Sequence, residues 1–164
     1  MRFNGLVLMG WAAALVAACG GGGEKPKTDS TAGAAPPAAG APPAGGIAAA
    51  PITGKVVTVN MIGDGTNYKF VPADITIKAG DGIKFVNVSG FPHDVTFDPT
   101  AIPPDVKPQL VANMPNQTGE LLGPMMVNPN ETYTISFGKI KPGKYEVHCT
   151  PHLAMGMKGT ITVQ

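Results

Sequence analysis

Short apolar runs with polar residues at alternating positions recur from residue 55 onward, separated by Gly, Pro, Asn and Asp. This period of two predicts β-strands, because successive side chains of a strand point to opposite faces of its sheet. The predicted strands are 56–62, 75–78, 83–88, 95–97, 132–137, 144–149 and 159–163. About seven short strands, without a helical pattern of ten residues, predict an all-β domain built as an antiparallel sandwich of two sheets.

One long segment, 98–130, lacks this alternation and contains seven prolines. Proline lacks the backbone donor that regular structure needs, so the segment is predicted to be a loop with at most one turn of helix. Its methionines, Met114, Met125 and Met126, are expected to pack in or under this loop.

Composition divides the rest of the chain into three parts. Residues 1–18 combine Arg2 with a short apolar stretch that ends in small residues, which is typical of a signal peptide and too short to span a membrane. Gly, Ala and Pro occupy 24 of the 32 positions of 20–51, a composition that buries too little apolar surface to fold and predicts a disordered tether. Residues 52–164 are long enough for one compact domain.

The charge balance argues against nucleic acid as a partner. The formal net charge of the chain is +1, and residues 52–164 contain nine Lys against nine Asp and Glu. A surface without a basic excess gains little from counterion release, so no nucleic-acid binding is expected. No apolar run of 18 residues follows the leader, so no membrane-spanning segment is expected in the mature chain.

The candidate chemistry lies in the loop 149–157, where Cys149, His152 and Met157 occur within nine residues. Thiolate, imidazole and thioether ligands together favour copper over magnesium or calcium. A fourth ligand has to come from elsewhere. His148 directly precedes Cys149 on a predicted strand, so the two side chains point to opposite faces, which leaves His93. These four residues predict a trigonal copper site with a weak axial thioether.

Two other functions of a Cys–His pair fit this loop less well than copper binding. A Cys–His pair can form the nucleophile and base of a hydrolase, but no third group that would orient the base is evident around Cys149 and His152. Zinc prefers four firm nitrogen or sulfur ligands, and a thioether is a poor fourth ligand. A copper protein that is not an enzyme is therefore favoured over either.

Two motifs carry a resemblance to a known family. The Gly-Phe-Pro-His motif at 90–93, within 85–104, resembles plastocyanin, and the loop 149–157 looks still more like that of pseudoazurin. Residues 52–164 are therefore identified as a member of the small cupredoxins. The resemblance implies a Greek-key β-sandwich of seven to eight strands with one copper ion. It also implies Met157, rather than Met155, as the axial ligand.

The same resemblance implies a type 1 blue copper protein that carries single electrons. It would act as a monomer between redox proteins such as cytochromes c or a copper or haem reductase or oxidase, with His152 as the electron port. The apolar docking patch expected around this port consists of Phe91, Pro92, Pro151, Leu153 and Met155. The methionines of the long loop keep a copper-delivery protein with a Met-assisted Cu(I) site as an alternative. Such a site needs no thiolate, so Cys149 favours the electron carrier.

Three features of the sequence depart from the family pattern, and they limit which family properties the resemblance implies for this chain. Asp94 follows the first His ligand where the family usually has Asn, and it is expected to lower the reduction potential of the copper. The alternative is that Asp94 is protonated or paired with Thr150 and carries little effective charge. His148 stands where plastocyanin has Tyr beside the Cys ligand. The acidic residues are scattered, so a photosynthetic partner is not implied.

The end of the leader carries a second resemblance. Val-Ala-Ala-Cys at 16–19 resembles the lipobox of bacterial lipoproteins, and four glycines follow it. The resemblance implies cleavage before Cys19, lipidation of that residue and a lipid-anchored protein on the periplasmic or outer side of a bacterial membrane. An ordinary signal peptide that happens to contain a cysteine is the alternative. If Cys19 is acylated, Cys149 has no disulfide partner.

Overall fold

A computed structural model describes residues 46–164. The predicted signal peptide, Cys19 and most of the predicted tether lie outside these residues. The strands are β1 (Val56–Gly63), β2 (Tyr68–Val71), β3 (Asp74–Ile77), β4 (Gly82–Asn87), β5 (Thr132–Ser136), β6 (Gly143–His148) and β7 (Lys158–Val163). A short α-helix, α1 (Lys107–Asn113), and a 3₁₀ helix (Thr150–Met155) complete the described elements. None of the described helices is long and apolar enough to cross a membrane.

The strands form two sheets, with the orders β2-β1-β4-β5 and β3-β7-β6. Alternate side chains of each strand face the space between the sheets, as the period of two predicts. On the inner faces, Val59 and Met61 of β1 meet Phe85 of β4, and Ile161 of β7 completes this part of the core; all four are fully buried. The all-β sandwich predicted from the sequence is therefore confirmed.

The sheets are mixed, and the predicted purely antiparallel arrangement is wrong. β1 pairs with β4 in parallel, and β3 pairs with β7 in parallel, while the other pairs are antiparallel. Parallel neighbours need a long crossover connection. The connection between β1 and β4 contains β2 and β3. Hydrophobic alternation along a strand does not indicate whether its neighbour in the sheet runs parallel or antiparallel to it.

Three further elements differ from the prediction. Residues 95–97 do not form a strand, because Thr96 makes only isolated bridges, to Leu122 and to His148. β2 was not predicted, since its four residues, which lie between a turn and Pro72, are too few for a clear alternation. The segment 98–130 contains α1, which is longer than the single turn expected, with Leu110 buried in the core and proline tolerated in its first turn.

The folded part begins slightly before the predicted boundary at residue 52. Ala50, assigned to the tether from composition, is buried, and its backbone N–H donates to Asn113 Oδ1 at 2.8 Å. Gln109 Nε2 donates to the carbonyl of Ala48 at 3.1 Å. Side chains of α1 thus hold the last residues of the tether, an interaction that composition alone does not reveal.

Candidate metal centre

His93 is held at the end of the first sheet by a buried asparagine. Asn87, the last residue of β4, donates from Nδ2 to the carbonyls of Phe91 at 2.8 Å and Met126 at 3.2 Å. Its Oδ1 accepts from the N–H of Gly90 at 3.0 Å. The backbone of His93 in turn exchanges hydrogen bonds with that of Met126. Asn87 therefore fixes the turn that carries His93, a role with no sequence pattern to indicate it.

The 3₁₀ helix after β6 carries the second part of the site. Cys149 lies at the end of β6 and caps this helix, and the N–H of His152 donates to the Cys149 carbonyl at 3.2 Å. Gly156 ends the helix in the left-handed conformation, with φ of 84°. The loop closes where the backbone of Met157 bonds to both Cys149 and His152, each at 3.1 Å. Local hydrogen bonds thus fix three of the four predicted ligand residues relative to one another.

The two halves meet in a buried cluster. Cys149 Sγ lies 3.5 Å from His93 Nδ1 and 3.4 Å from His152 Nδ1, and the three ligand atoms lie within 4.8 Å of one another. His93, Cys149 and the Met157 side chain are fully buried, and His152 is 7% exposed. A buried thiol that faces two imidazole nitrogens is a donor set that fits copper. Ser89 Oγ lies 3.2 Å from His93 Nε2, where it can orient the ring with Nδ1 towards the cluster.

Burial also sets the protonation of these groups in the metal-free protein. It lowers the pKa of His93 to about 4 and lowers that of His152, so both imidazoles are neutral at pH 7. Burial raises the pKa of the Cys149 thiol to about 11, against the opposing effect of N–H groups of Asp94 and His152. The imidazoles therefore have free lone pairs for a metal, whereas the thiol has to lose its proton first.

Asp94 links the two halves from behind the cluster. Its carboxylate is nearly fully buried, and Oδ1 accepts from the N–H of Thr150 at 2.7 Å and from the hydroxyl of Thr96 at 3.1 Å. The hydroxyls of Thr96 and Thr150 lie 3.1 Å apart. The pairing of Asp94 with Thr150 is therefore present, but it is made to the neutral backbone N–H that follows the cysteine, and a neutral donor does not cancel a carboxylate charge.

The surface above the cluster is apolar. All five residues of the predicted docking patch are exposed, including Met155 at 56%. Met125 and Val127 on either side of the buried Met126 are also exposed, so the expectation that Met125 packs inside the loop is wrong. Met114 and Met126 are buried in the core as expected. The exposed apolar surface beside the site therefore extends beyond the predicted patch.

An aromatic residue that sequence reasoning missed covers His152. The ring of Tyr68, at the start of β2, stacks on the His152 imidazole with centroids 3.7 Å apart and an angle of 8° between planes. Nothing in the local sequence distinguishes Tyr68 from an ordinary strand residue. Tyr68 and His152 are 84 positions apart in the sequence, so no short motif can indicate this contact.

A two-sheet β-sandwich whose end loops bury a His–Cys–His cluster belongs to the cupredoxin class of copper proteins. Residues 57–164 match the family of copper-binding proteins described as the plastocyanin/azurin family, and the chain belongs to that family. The predicted family and the predicted cofactor, one copper ion, are therefore confirmed. The cluster of His93, Cys149 and His152 provides the single copper site that the family requires.

Plastocyanins are among the individual proteins that are similar to this chain. The chloroplastic plastocyanin of Physcomitrium patens is 41% identical over 111 residues, a match that spans 68% of this chain and 60% of the relative. Plastocyanin of Ulva pertusa is 38% identical over 108 residues, which cover 65% of this chain and 97% of that protein. Among solved structures, a mutant plastocyanin of fern matches with a TM-score of 0.51 and 29% identity, covering 66% of this chain and all of that one.

Proposed function

We propose that this protein is a type 1 copper protein that carries single electrons between extracytoplasmic redox partners. The observation that carries the proposal is the buried approach of Cys149 Sγ to the Nδ1 atoms of His93 and His152 within a plastocyanin-family domain. The proposed ligands are these three residues and, as the axial thioether, the buried Met157. When bound, copper supplies the Cu(II)/Cu(I) couple, and the chain needs no further catalytic group.

The surroundings of the cluster suit a carrier because hydrogen bonds from neighbouring residues hold the segments that carry the ligands. Asn87 fixes the turn of His93, and Asp94 ties that turn to Thr150 on the opposite loop. Both imidazoles face the thiol. Ligands that are already in place move little between two oxidation states, which favours rapid electron transfer over substrate chemistry.

The proposed port is His152, because it is the only one of the three clustered ligands with any exposed surface. The docking patch of Phe91, Pro92, Pro151, Leu153 and Met155 surrounds it. A small apolar contact suits a carrier that must leave its partner after each transfer. The proposed partners are cytochromes c or a copper or haem reductase or oxidase.

We also propose that the protein is a lipoprotein tethered to a bacterial membrane on its extracytoplasmic side. The support is the Val-Ala-Ala-Cys motif at 16–19 and the Gly, Ala and Pro composition that follows it. A flexible chain of about 30 residues spans about 30 Å root-mean-square, enough to let the copper domain reach a membrane-bound partner. Acylation of Cys19 leaves Cys149 free for copper.

A second candidate, delivery of Cu(I) to another protein, has one observation in its favour. The thioethers of Met125 and Met155 belong to exposed side chains on the apolar surface of the domain. Soft thioether ligands suit Cu(I). The buried thiol of Cys149 still favours the electron carrier, since a delivery site gains nothing from a deeply enclosed cysteine.

Copper titration with visible spectroscopy separates the two candidates. The domain from residue 46 onward, given one equivalent of Cu(II), is expected to turn blue or green from thiolate-to-copper charge transfer. Cys149→Ser should abolish this colour, whereas His148→Gln, which changes the neighbouring histidine outside the cluster, should retain it. A colourless, tetragonal Cu(II) spectrum in the unmodified domain would contradict the type 1 proposal and favour delivery.

A further inference from the structure

The aromatic groups around His152 converge on one side chain, that of Tyr68. Besides its parallel stack on His152, the Tyr68 ring meets His93 edge-on, with centroids 6.1 Å apart. It meets Phe91 edge-on at 5.7 Å and 85°. Edge-on contacts of this kind stabilise aromatic pairs beyond the area that they bury. Tyr68 thus touches both histidines of the cluster and the exposed phenylalanine of the docking patch.

The backbone around Tyr68 leaves room for this ring. Gly63 of β1 lies opposite Tyr68 in the β1–β2 pairing. A Cβ at Gly63 would lie 2.5 and 2.6 Å from Cδ1 and Cε1 of Tyr68, so any larger residue there would displace the ring. The turn that joins the two strands is fixed by Asp64, whose Oδ1 accepts from the N–H groups of Thr66 and Asn67. The ring position is therefore determined by the hairpin and not by a free side-chain rotation.

The consequence for His152 is that its imidazole is enclosed by the protein. The thiol of Cys149 faces its Nδ1, and Tyr68 covers a face of the ring, which leaves the imidazole 7% exposed. Tyr68 itself is only half-buried, and it lines an open cleft of about 400 Å³ together with Met155. A partner that approaches this side meets the tyrosine ring before it meets His152.

We propose that Tyr68 is a positioning residue for His152 and the outer part of the electron port. The stacked ring holds the imidazole in the orientation that a metal needs, and electrons reach a partner through Tyr68 as well as through the edge of His152. The inference rests on the proposed electron-carrier function and adds a specific residue to it. All three contacts are made by the aromatic ring and not by the phenol hydroxyl, so the ring alone should suffice to position His152.

The first test uses the metal-free protein and three variants. A tyrosine ring 3.7 Å from His152 should shift the ring protons of that imidazole upfield in the ¹H NMR spectrum. Tyr68→Phe should keep this shift, and Tyr68→Leu should remove it. Val71→Ala, a change on the opposite face of the same strand, is the matched control and should leave the shift unaltered. Unchanged His152 resonances in Tyr68→Leu would overturn the positioning role.

The second test measures electron self-exchange in the copper-loaded proteins by NMR line broadening. Loss of groups that orient metal ligands typically costs tenfold or more, so Tyr68→Leu should slow self-exchange about tenfold while Tyr68→Phe remains close to the unmodified protein. A self-exchange rate in Tyr68→Leu that equals or exceeds that of the unmodified protein would overturn the port role.

Gly63→Ala provides a second variant in case Tyr68→Leu does not fold. It retains the tyrosine but forces the ring away from its present position, so it should also lose the upfield shift and slow self-exchange. Retention of both properties in Gly63→Ala would count against the proposal. Failure of the electron-carrier function itself would appear separately, as an unmodified protein that forms no coloured copper complex.

Discussion

Asp94 is a buried carboxylate beside the proposed copper ligands, and no Lys or Arg is among its hydrogen-bond partners in residues 46–164. Both donors to its Oδ1, the Thr150 N–H and the Thr96 hydroxyl, are neutral. A buried charge is tolerated when hydrogen bonds replace its hydration. Asp94 therefore has a structural role, tying two loops together, and we expect its charge to act on the metal centre as well.

Asp94→Asn should raise the reduction potential, because a negative charge near the site stabilises Cu(II) over Cu(I). For a separation of about 8 Å and an effective dielectric constant of about 20, the interaction is about 2 kcal/mol, or about 90 mV for one electron, as an upper limit. Cyclic voltammetry of both proteins checks this. Equal potentials at every pH would show that Asp94 does not tune the copper.

Copper binding should release about one proton between pH 7 and 9. The pKa of the Cys149 thiol, about 11, keeps it protonated before binding, whereas the lowered pKa values of His93 and His152 leave no imidazole proton to lose. The apparent affinity should consequently rise about tenfold per pH unit in this range. Calorimetric titration in two buffers of different ionisation enthalpy counts the protons. Binding without proton release would mean that the thiol is already ionised.

At the scale of elements, the 3₁₀ helix sets the ligand geometry. It turns the chain between Cys149 and Met157 within one short loop, and its end requires a left-handed residue at Gly156. A side chain at this position would meet no atom within 4 Å, so the requirement is conformational and not steric. The conformation of the loop 149–157 thus depends on the positive φ of Gly156.

Gly156→Ala should lower the free energy of unfolding by about 1 kcal/mol and alter the visible spectrum of the copper form. Gly65→Ala is the matched control, since Gly65 also has positive φ and open space but lies in the β1–β2 turn. Both variants should lose similar stability in urea denaturation, but only Gly156→Ala should change the spectrum. Identical spectra in all three proteins would show that the loop tolerates the strain without moving its ligands.

At the scale of the whole domain, Ala50, at the described end of the predicted tether, and the copper cluster lie at opposite ends of the sandwich. Ala50 lies close to Gly138, in the turn that precedes β6, whereas Cys149 follows the other end of that strand. A six-residue strand separates these ends by about 20 Å. The described end of the predicted tether therefore lies away from the predicted docking patch.

If Cys19 is lipidated, the mature protein should fractionate with membranes, and Cys19→Ala should remain unprocessed or become soluble. Processing also removes Trp11, the only tryptophan, so the mature protein should show tyrosine fluorescence alone. Membrane fractionation and mass spectrometry of the N-terminus provide the measurements. A soluble mature protein with an unmodified N-terminus would contradict the lipoprotein proposal.

The sequence by itself determined the features that depend on short stretches of chain. Alternation located six of the seven strands, and the spacing of Cys149, His152 and Met157 within one loop indicated copper. The family resemblance that these motifs carried is confirmed. These predictions succeed because strand faces and loop ligands follow from residues that are neighbours in sequence. The ligand assignment of Met157 and the lipidation of Cys19 remain predictions.

Only the tertiary structure decided which distant segments meet. The parallel pairing of β1 with β4, the clamp of Asn87 on the turn of His93, and the stack of Tyr68 on His152 all join residues on separate elements. A buried asparagine and a half-buried tyrosine have no distinctive pattern along the chain, since their roles come from the surfaces packed against them. The identity of the metal could therefore be predicted locally, whereas the groups that hold and cover its ligands could not.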